Sequence, residues 1–438
     1  MLCLAGKMAW SSTLLAAVLT VGTTTAQFVK PPTDLKTAKG YAGINVRYKQ
    51  VPNGICETRA HVKSFTGYSD VAENEHIFWW FFEAREVDPS EAPLTVWING
   101  GPGSSSMIGL FQELGPCGIN SEGKVYDNPY AWNRKSNILF VDQPTTVGLS
   151  YSIPQDGYTV GDSGDFITLP PGTCPDYAAG SCLTQSSSNE TLTANSTAGA
   201  APNMWKTLQG FMGAFPKYSR NGFHFTTESY GGHYGPVFNE YFEQQNKKNI
   251  PGAHKIALQS VAIGNGWFDP LVQYEGYFRY IVEPGNTYDY KPYNKSTEAM
   301  VRNSLYGKGN CLDQIKYCQS SGINEICTAA DNFCANYVES ILDNVANRDE
   351  YDIRELMPDP FPYSFFEAYL NTPKVQKAIG AFQNYSSYSY TTGNAFGTTG
   401  DDARESMTIE DVQLLLKQGV RVMMYFGDAG MSCLFLTV

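Results

Sequence analysis

Apolar residues along the chain gather in short runs, separated by polar stretches rich in glycine and proline, which is the spacing of buried strands rather than of membrane spans. Ile77 to Glu86 is aromatic and apolar, Leu94 to Ile98 is apolar ahead of a glycine-rich loop, and Asn137 to Val141 leads into Asp142-Gln143-Pro144. Three strands are predicted there. Phe223 to Thr227, Lys255 to Ile263 and Val420 to Tyr425 predict later strands, and Tyr234 to Gln245 and Val375 to Phe382 carry helical periodicity between them. Such alternation predicts an α/β fold with a mainly parallel central sheet.

Two stretches break the pattern. Between Ile153 and Asn203 the composition shifts to Gly, Ser, Thr, Pro and Asp, and includes Cys174 and Cys182, which predicts a surface excursion. From about Asp269 to Pro373 the strand signal disappears and a cysteine cluster takes its place, predicting a largely helical, disulfide-bearing insertion over the edge of the sheet.

The chain has 438 residues, 42% hydrophobic and 17% charged, enough for one large domain with an insertion or for two ordinary domains, either with a substantial core. Its formal charge of -12, without a basic stripe, argues against nucleic acid as a partner. Residues 1 to 26 carry Lys7, an apolar stretch from about Leu14 to Val21 and small residues at Thr24-Thr25-Ala26, the pattern of a secretory signal peptide. Neither that run nor any later one predicts a membrane anchor.

Removal of the signal takes Cys3 with it, and sequons at Asn189, Asn195, Asn294 and Asn384 fit the same export route to an extracellular or vacuolar location. The remaining cysteines then meet an oxidising compartment. Cys311, Cys318, Cys327 and Cys334 are spaced C-x6-C-x8-C-x6-C, which suits two nested disulfides, Cys311 with Cys334 around Cys318 with Cys327. Three connectivities are open at this point. A structural zinc site is the rival, and export favours disulfides.

Candidate chemistry centres on Phe225-Thr-Thr-Glu-Ser-Tyr-Gly-Gly-His-Tyr-Gly-Pro236, where an apolar strand runs into Ser229 and then into a helical pattern. This reads as a nucleophile elbow, with Thr227 in place of the usual first glycine. A second segment, Trp97-Ile-Asn-Gly-Gly-Pro-Gly-Ser-Ser-Ser106, is followed by Glu113-Leu-Gly-Pro-Cys117. In an α/β hydrolase one oxyanion amide follows the nucleophile and the other comes from a glycine-rich loop after an early strand. Tyr230 and Gly101 fit those two roles. The loop lacks the lysine of a phosphate-binding loop.

With these motifs in order, and with Asn128-Pro-Tyr-Ala-Trp-Asn133, Val141-Asp-Gln-Pro144 and Gly264-Asn-Gly-Trp-Phe-Asp-Pro270, the chain from about Tyr48 to Asp428 resembles the serine carboxypeptidases. The resemblance implies an α/β-hydrolase fold and removal of the C-terminal residue from peptides or proteins through an acyl-enzyme on Ser229. No cofactor or metal is implied. By motif position, Asn99, Glu113 and Glu228 form the site for the substrate's free carboxylate, with Trp97 as its wall. Two glutamates suit an anion if crowding and burial raise one pKa, because the protonated member then donates to the carboxylate. Ser104 stands where the family often has a cysteine, which leaves Cys56 with Cys117 and Cys174 with Cys182 as candidate pairs and Cys433 unpaired.

The same resemblance expects a catalytic aspartate in a late Gly-Asp-x-Asp segment and a histidine beyond it. Here the segment is Tyr425-Phe-Gly-Asp-Ala-Gly-Met-Ser-Cys433, with Gly430 at the aspartate's position, and His61, His76, His224, His233 and His254 all lie upstream. Gly430-Met431-Ser432 can be encoded by GGT-ATG-TC, which contains an intron-type GTATGT, so residues 430 to 438 are expected to be translated intron with the C-terminal part of the domain missing. Loss of peptidase activity is expected for this form. Acyl transfer on the same fold and non-catalytic binding of peptide C-termini are the alternatives.

Overall fold

The computed structural model describes residues 28–160, 166–284, 288–358, 363–404 and 408–432. The predicted signal peptide and Cys433 lie outside the described residues. The main sheet has nine strands: β1 (Lys36–Lys39), β2 (Asn45–Val51), β3 (Ser64–Ala72), β4 (Glu75–Phe82), β5 (Leu94–Ile98), β6 (Asn137–Val141), β7 (Phe223–Glu228), β8 (Leu258–Gly264) and β9 (Arg421–Tyr425). Their spatial order is β1-β2-β3-β4-β6-β5-β7-β8-β9. Strands β6, β5, β7, β8 and β9 run parallel, while β1 to β4 form an antiparallel meander joined to β6. The parallel half carries the site.

Continuous apolar runs make the central strands because both faces of the sheet are covered. Along β4, Ile77, Trp79 and Phe81 enter one core with helices α1 (Thr197–Ala214) and α2 (Gly231–Lys248). Phe78, Trp80 and Phe82 enter the other, against Leu110, Phe111 and Phe366. Each such side chain, fully removed from water, contributes about 1.5–3 kcal/mol.

The predicted excursion at 153–203 is corrected in part. Pro154–Thr159, Phe166–Thr168 and Cys182–Ser186 form a small antiparallel sheet, and α1 already begins at Thr197. The helix escapes the periodicity because its first turns are alanine, glycine and Pro202, yet Ser196 caps it through Gly199 N and its apolar face is buried. From α3 (Pro270–Val282) onward the segment is helical, through α4 (Lys295–Tyr306), α5 (Cys311–Ser321) and α6 (Asn324–Cys334). Disulfides Cys311–Cys334 and Cys318–Cys327 clamp α5 against α6, so these thiolates are not a zinc site. Cys56–Cys117 and Cys174–Cys182 are also bonded. Among the described residues no helix is long and apolar enough to cross a membrane.

Candidate active site

Ser229 sits at the sharp turn between β7 and α2, with a left-handed φ of 57°. A non-glycine residue holds that conformation only when its surroundings over-determine it. Here Ser229 N donates to Gly264 O at 3.0 Å, while Ser229 O accepts from Trp267 N at 2.8 Å and Gly232 N at 2.9 Å. Small neighbours are obligatory, since a methyl on Gly232 would lie 2.2 Å from Trp267 O and one on Gly231 would lie 2.0 Å from Thr227 Oγ1. Thr227, in place of the glycine usual two residues before the serine, is buried beneath the turn.

The glycine-rich loop after β5 closes on this turn. A methyl on Gly100 would lie 2.4 Å from Tyr230 N and 3.0 Å from Ser229 Cβ, so the loop touches the backbone beside the serine. Among the described residues, the amides of Gly101 and Tyr230 donate no backbone hydrogen bond. Asp142, at the end of β6, pins the loop: it accepts from Ser105 Oγ at 2.7 Å, Ser106 N at 2.8 Å and Leu149 N at 2.9 Å. Burial pushes its carboxyl up to about 6 despite those donors.

Asn99, Glu113 and Glu228 come together from three elements. Asn99 Nδ2 donates to Glu228 Oε1 at 2.7 Å and reaches Glu113 Oε1 at 3.5 Å. Both carboxyls thus converge on one amide, and such crowding favours a proton shared between them. Burial raises both pKa values, and Glu228 is lifted further by the charge of Glu113. Trp97 lies behind, its indole donating to Asn99 Oδ1 at 2.8 Å and its ring edge-on to Trp132 at 5.6 Å.

The histidines lie elsewhere. His233 is buried on α2, with Nδ1 2.6 Å from Trp267 O and its ring stacked on Tyr230, so it braces the turn. His76 contacts Asp70, His224 contacts Ser260, His254 stacks on Tyr41, and His61 is exposed. Among the described residues the Ser229 hydroxyl has no hydrogen-bond partner.

A protein-family model described as serine carboxypeptidase matches residues 52–438. The chain belongs to the serine carboxypeptidase family. Carboxypeptidase S1 homolog A of Arthroderma otae is 37% identical across 96% of this chain and 70% of its own length. Carboxypeptidase S1 of Penicillium janthinellum is 35% identical across 88% of this chain and 81% of its own. Kex1Δp of Saccharomyces cerevisiae, a prohormone-processing carboxypeptidase, superposes with a TM-score of 0.64 at 21% identity, covering 93% of this chain and 81% of its own, and shares the fold. The serine carboxypeptidase motifs therefore sit on an α/β-hydrolase sheet.

Sequence reading passed over three residues that shape this site. Trp267 is joined to both Ser229 and His233. Asp401 accepts from the Tyr230 hydroxyl at 2.5 Å and from Thr197 N and Oγ1 at 2.9 and 2.6 Å, tying the turn to the start of α1. Tyr425 ends β9 next to Gly264. Trp267 and Tyr425 lie within recognisable segments that do not display these contacts, and nothing local marks Asp401. Of the sequon residues, Asn189, Asn195 and Asn294 are exposed, whereas the half-buried Asn384 spends its amide on Thr184 N and Asn371 Oδ1.

Proposed function

We propose that this site captures the free C-terminus of a peptide or protein, with Asn99, Glu113 and Glu228 as the carboxylate anchor, Trp97 as its wall and Ser229 as the nucleophile. The observation that carries the reading is the convergence of Glu228 and Glu113 on the Asn99 amide, which adjoins the serine because Glu228 precedes it in the chain. A peptide carboxylate replaces the second carboxylate as acceptor, and the protonated glutamate and the Asn99 amide donate to it.

The amides of Gly101 and Tyr230 are the oxyanion donors for attack of Ser229 Oγ on the scissile carbonyl carbon. Attack forms the Oγ–C bond, and collapse of the tetrahedral adduct expels the C-terminal residue and leaves an acyl-serine that water hydrolyses. The hydroxyl proton must pass to a base and then to the leaving amine. All five histidines precede the late segment in which the family resemblance expects the base. The 438-residue chain is thus read as a carboxypeptidase site that binds its substrate without efficient turnover, exported by its signal peptide and glycosylated at exposed sequons.

Titration calorimetry with an N-blocked dipeptide and with its C-terminal amide tests the reading. Binding of the free acid with at least tenfold weaker binding of the amide supports it, and equal affinities would overturn it.

A further inference from the structure

Glu228, Gly264 and Tyr425 stand in one row across three neighbouring parallel strands, Glu228 in register with Gly264 and Gly264 with Tyr425. Residues in register share a face of the sheet. The glycine therefore leaves a gap between a carboxyl and a phenol, and the tyrosine ring fills it. A methyl on Gly264 would lie 2.6 Å from Tyr425 Cε2 and Cζ and 2.7 Å from its hydroxyl oxygen, and these are the nearest atoms it would meet. The ring thus leans across β8 toward Glu228 instead of outward past β9.

Two further facts fit a ring lying against the glutamate pair. Burial, followed by the charges of Glu228 and Glu113, raises the phenol's pKa well above its usual value. The ring's other side is open, with Tyr425 38% exposed, so its removal would admit solvent over Gly264.

We propose that Tyr425 is a positioning residue of the carboxylate site: its ring is the wall that keeps water from Glu113 and Glu228, and so keeps their shared proton in place to higher pH. The inference rests on the reading of that pair as the anchor for a peptide's free C-terminus. Among the described residues, the titratable groups facing the pair are each other and Tyr425, from the helical turn Gly109–Glu113, β7 and β9, while Asn99 and Trp97 are neutral. A buried carboxyl holds its proton because water is not there to solvate the anion. Opening the wall stabilises the anion and releases the proton earlier.

The test is the pH dependence of binding of an N-blocked dipeptide, by calorimetry from about pH 4 to about pH 8, with the C-terminal amide as control. Y425A is expected to move the midpoint at which affinity is lost downward by about one pH unit, a tenfold loss on the alkaline side. Y425F keeps the ring and should keep the wild-type midpoint. G264A, whose methyl displaces the ring without deleting it, should move the midpoint the same way as Y425A, and the double variant should go no further than Y425A alone. Loss of packing by itself weakens binding at every pH without moving the midpoint. An unshifted midpoint in both Y425A and G264A, or equal shifts in Y425A and Y425F, overturns the inference. A wild-type protein that binds acid and amide alike overturns the carboxylate reading instead.

Discussion

The indole N–H of Trp97 donates to Asn99 Oδ1 across 2.8 Å, and that bond decides which end of the amide meets the glutamates. Gly109 N donates to the same oxygen at 3.1 Å. With its acceptor end occupied twice, Asn99 can only present Nδ2 to Glu228 and Glu113. An amide pointing the other way would set oxygen against oxygen.

Replacing the amide should therefore cost more than replacing the indole. N99A removes a donor to the anchor and is expected to weaken dipeptide binding by about 10- to 100-fold, as expected for a hydrogen bond to a charged partner. W97F removes one of two restraints and should cost less than about tenfold. Calorimetric dissociation constants of the two variants check the ranking; a larger loss in W97F would show that the indole wall, not the amide, carries the affinity.

The pH behaviour of the pair has a definite sign. Both carboxyls are raised, so the proton between them is held through acid conditions and lost as pH rises, and affinity for a free C-terminus falls with it. E228Q replaces the titrating donor with a permanent one. It should bind the dipeptide with little change between about pH 5 and about pH 8, whereas the wild type loses about tenfold or more. A wild-type affinity that is flat across that range would remove the protonated-glutamate mechanism.

Much of this was legible in the sequence because strand, turn and helix follow one another locally. Glu228-Ser-Tyr-Gly-Gly232 and the loop from Trp97 declared themselves because close backbone approach demands small residues at those positions. Strands β1 to β3 and helix α1 did not, since β2 alternates lysine, arginine and glutamine with its apolar positions, and α1 opens on small residues. Asp401 and Tyr425 were silent for a different reason. Each acts on the elbow through partners 171 residues or more away, or through strand register, and no single sequence displays either relation.

Stability should fall as pH rises toward about 8. Burial, with the nearby Asp402, pushes Asp331 up to about 8, and burial, with Glu240, pushes Asp411 up to about 7, against an unfolded value near 3.8. The unfolded chain gives up these protons near pH 4 and the folded chain keeps them, so each added pH unit below the folded value favours unfolding. Asp34, Asp70, Asp352 and Glu86 have lowered values and act below about pH 4, and the half-buried His224 and His254 oppose the trend only below about pH 6.5. Between about pH 6.5 and about pH 8 the urea midpoint should drop. D331N should flatten the slope by about 1.4 kcal/mol per pH unit, and an unchanged slope would mean that Asp331 does not hold its proton in the folded protein.

Turnover is the sharpest test, because binding and chemistry depend on different residues. The proposed anchor, Ser229 and the amides of Gly101 and Tyr230 depend on the loop and the turn, whereas the nearest histidine in sequence, His233, gives Nδ1 to Trp267 O and packs against Tyr230 within α2. Its imidazole is thus held within α2 by the Trp267 carbonyl and the Tyr230 ring. If no base reaches Ser229, as proposed, hydrolysis falls to what oxyanion donors and binding supply, about 10³ to 10⁴ over water, far below a working peptidase. The 438-residue protein should therefore bind a blocked dipeptide and leave it intact over hours, and S229A should bind it equally well. Release of the C-terminal residue at several turnovers per second, abolished in S229A, would show that a base reaches the serine after all.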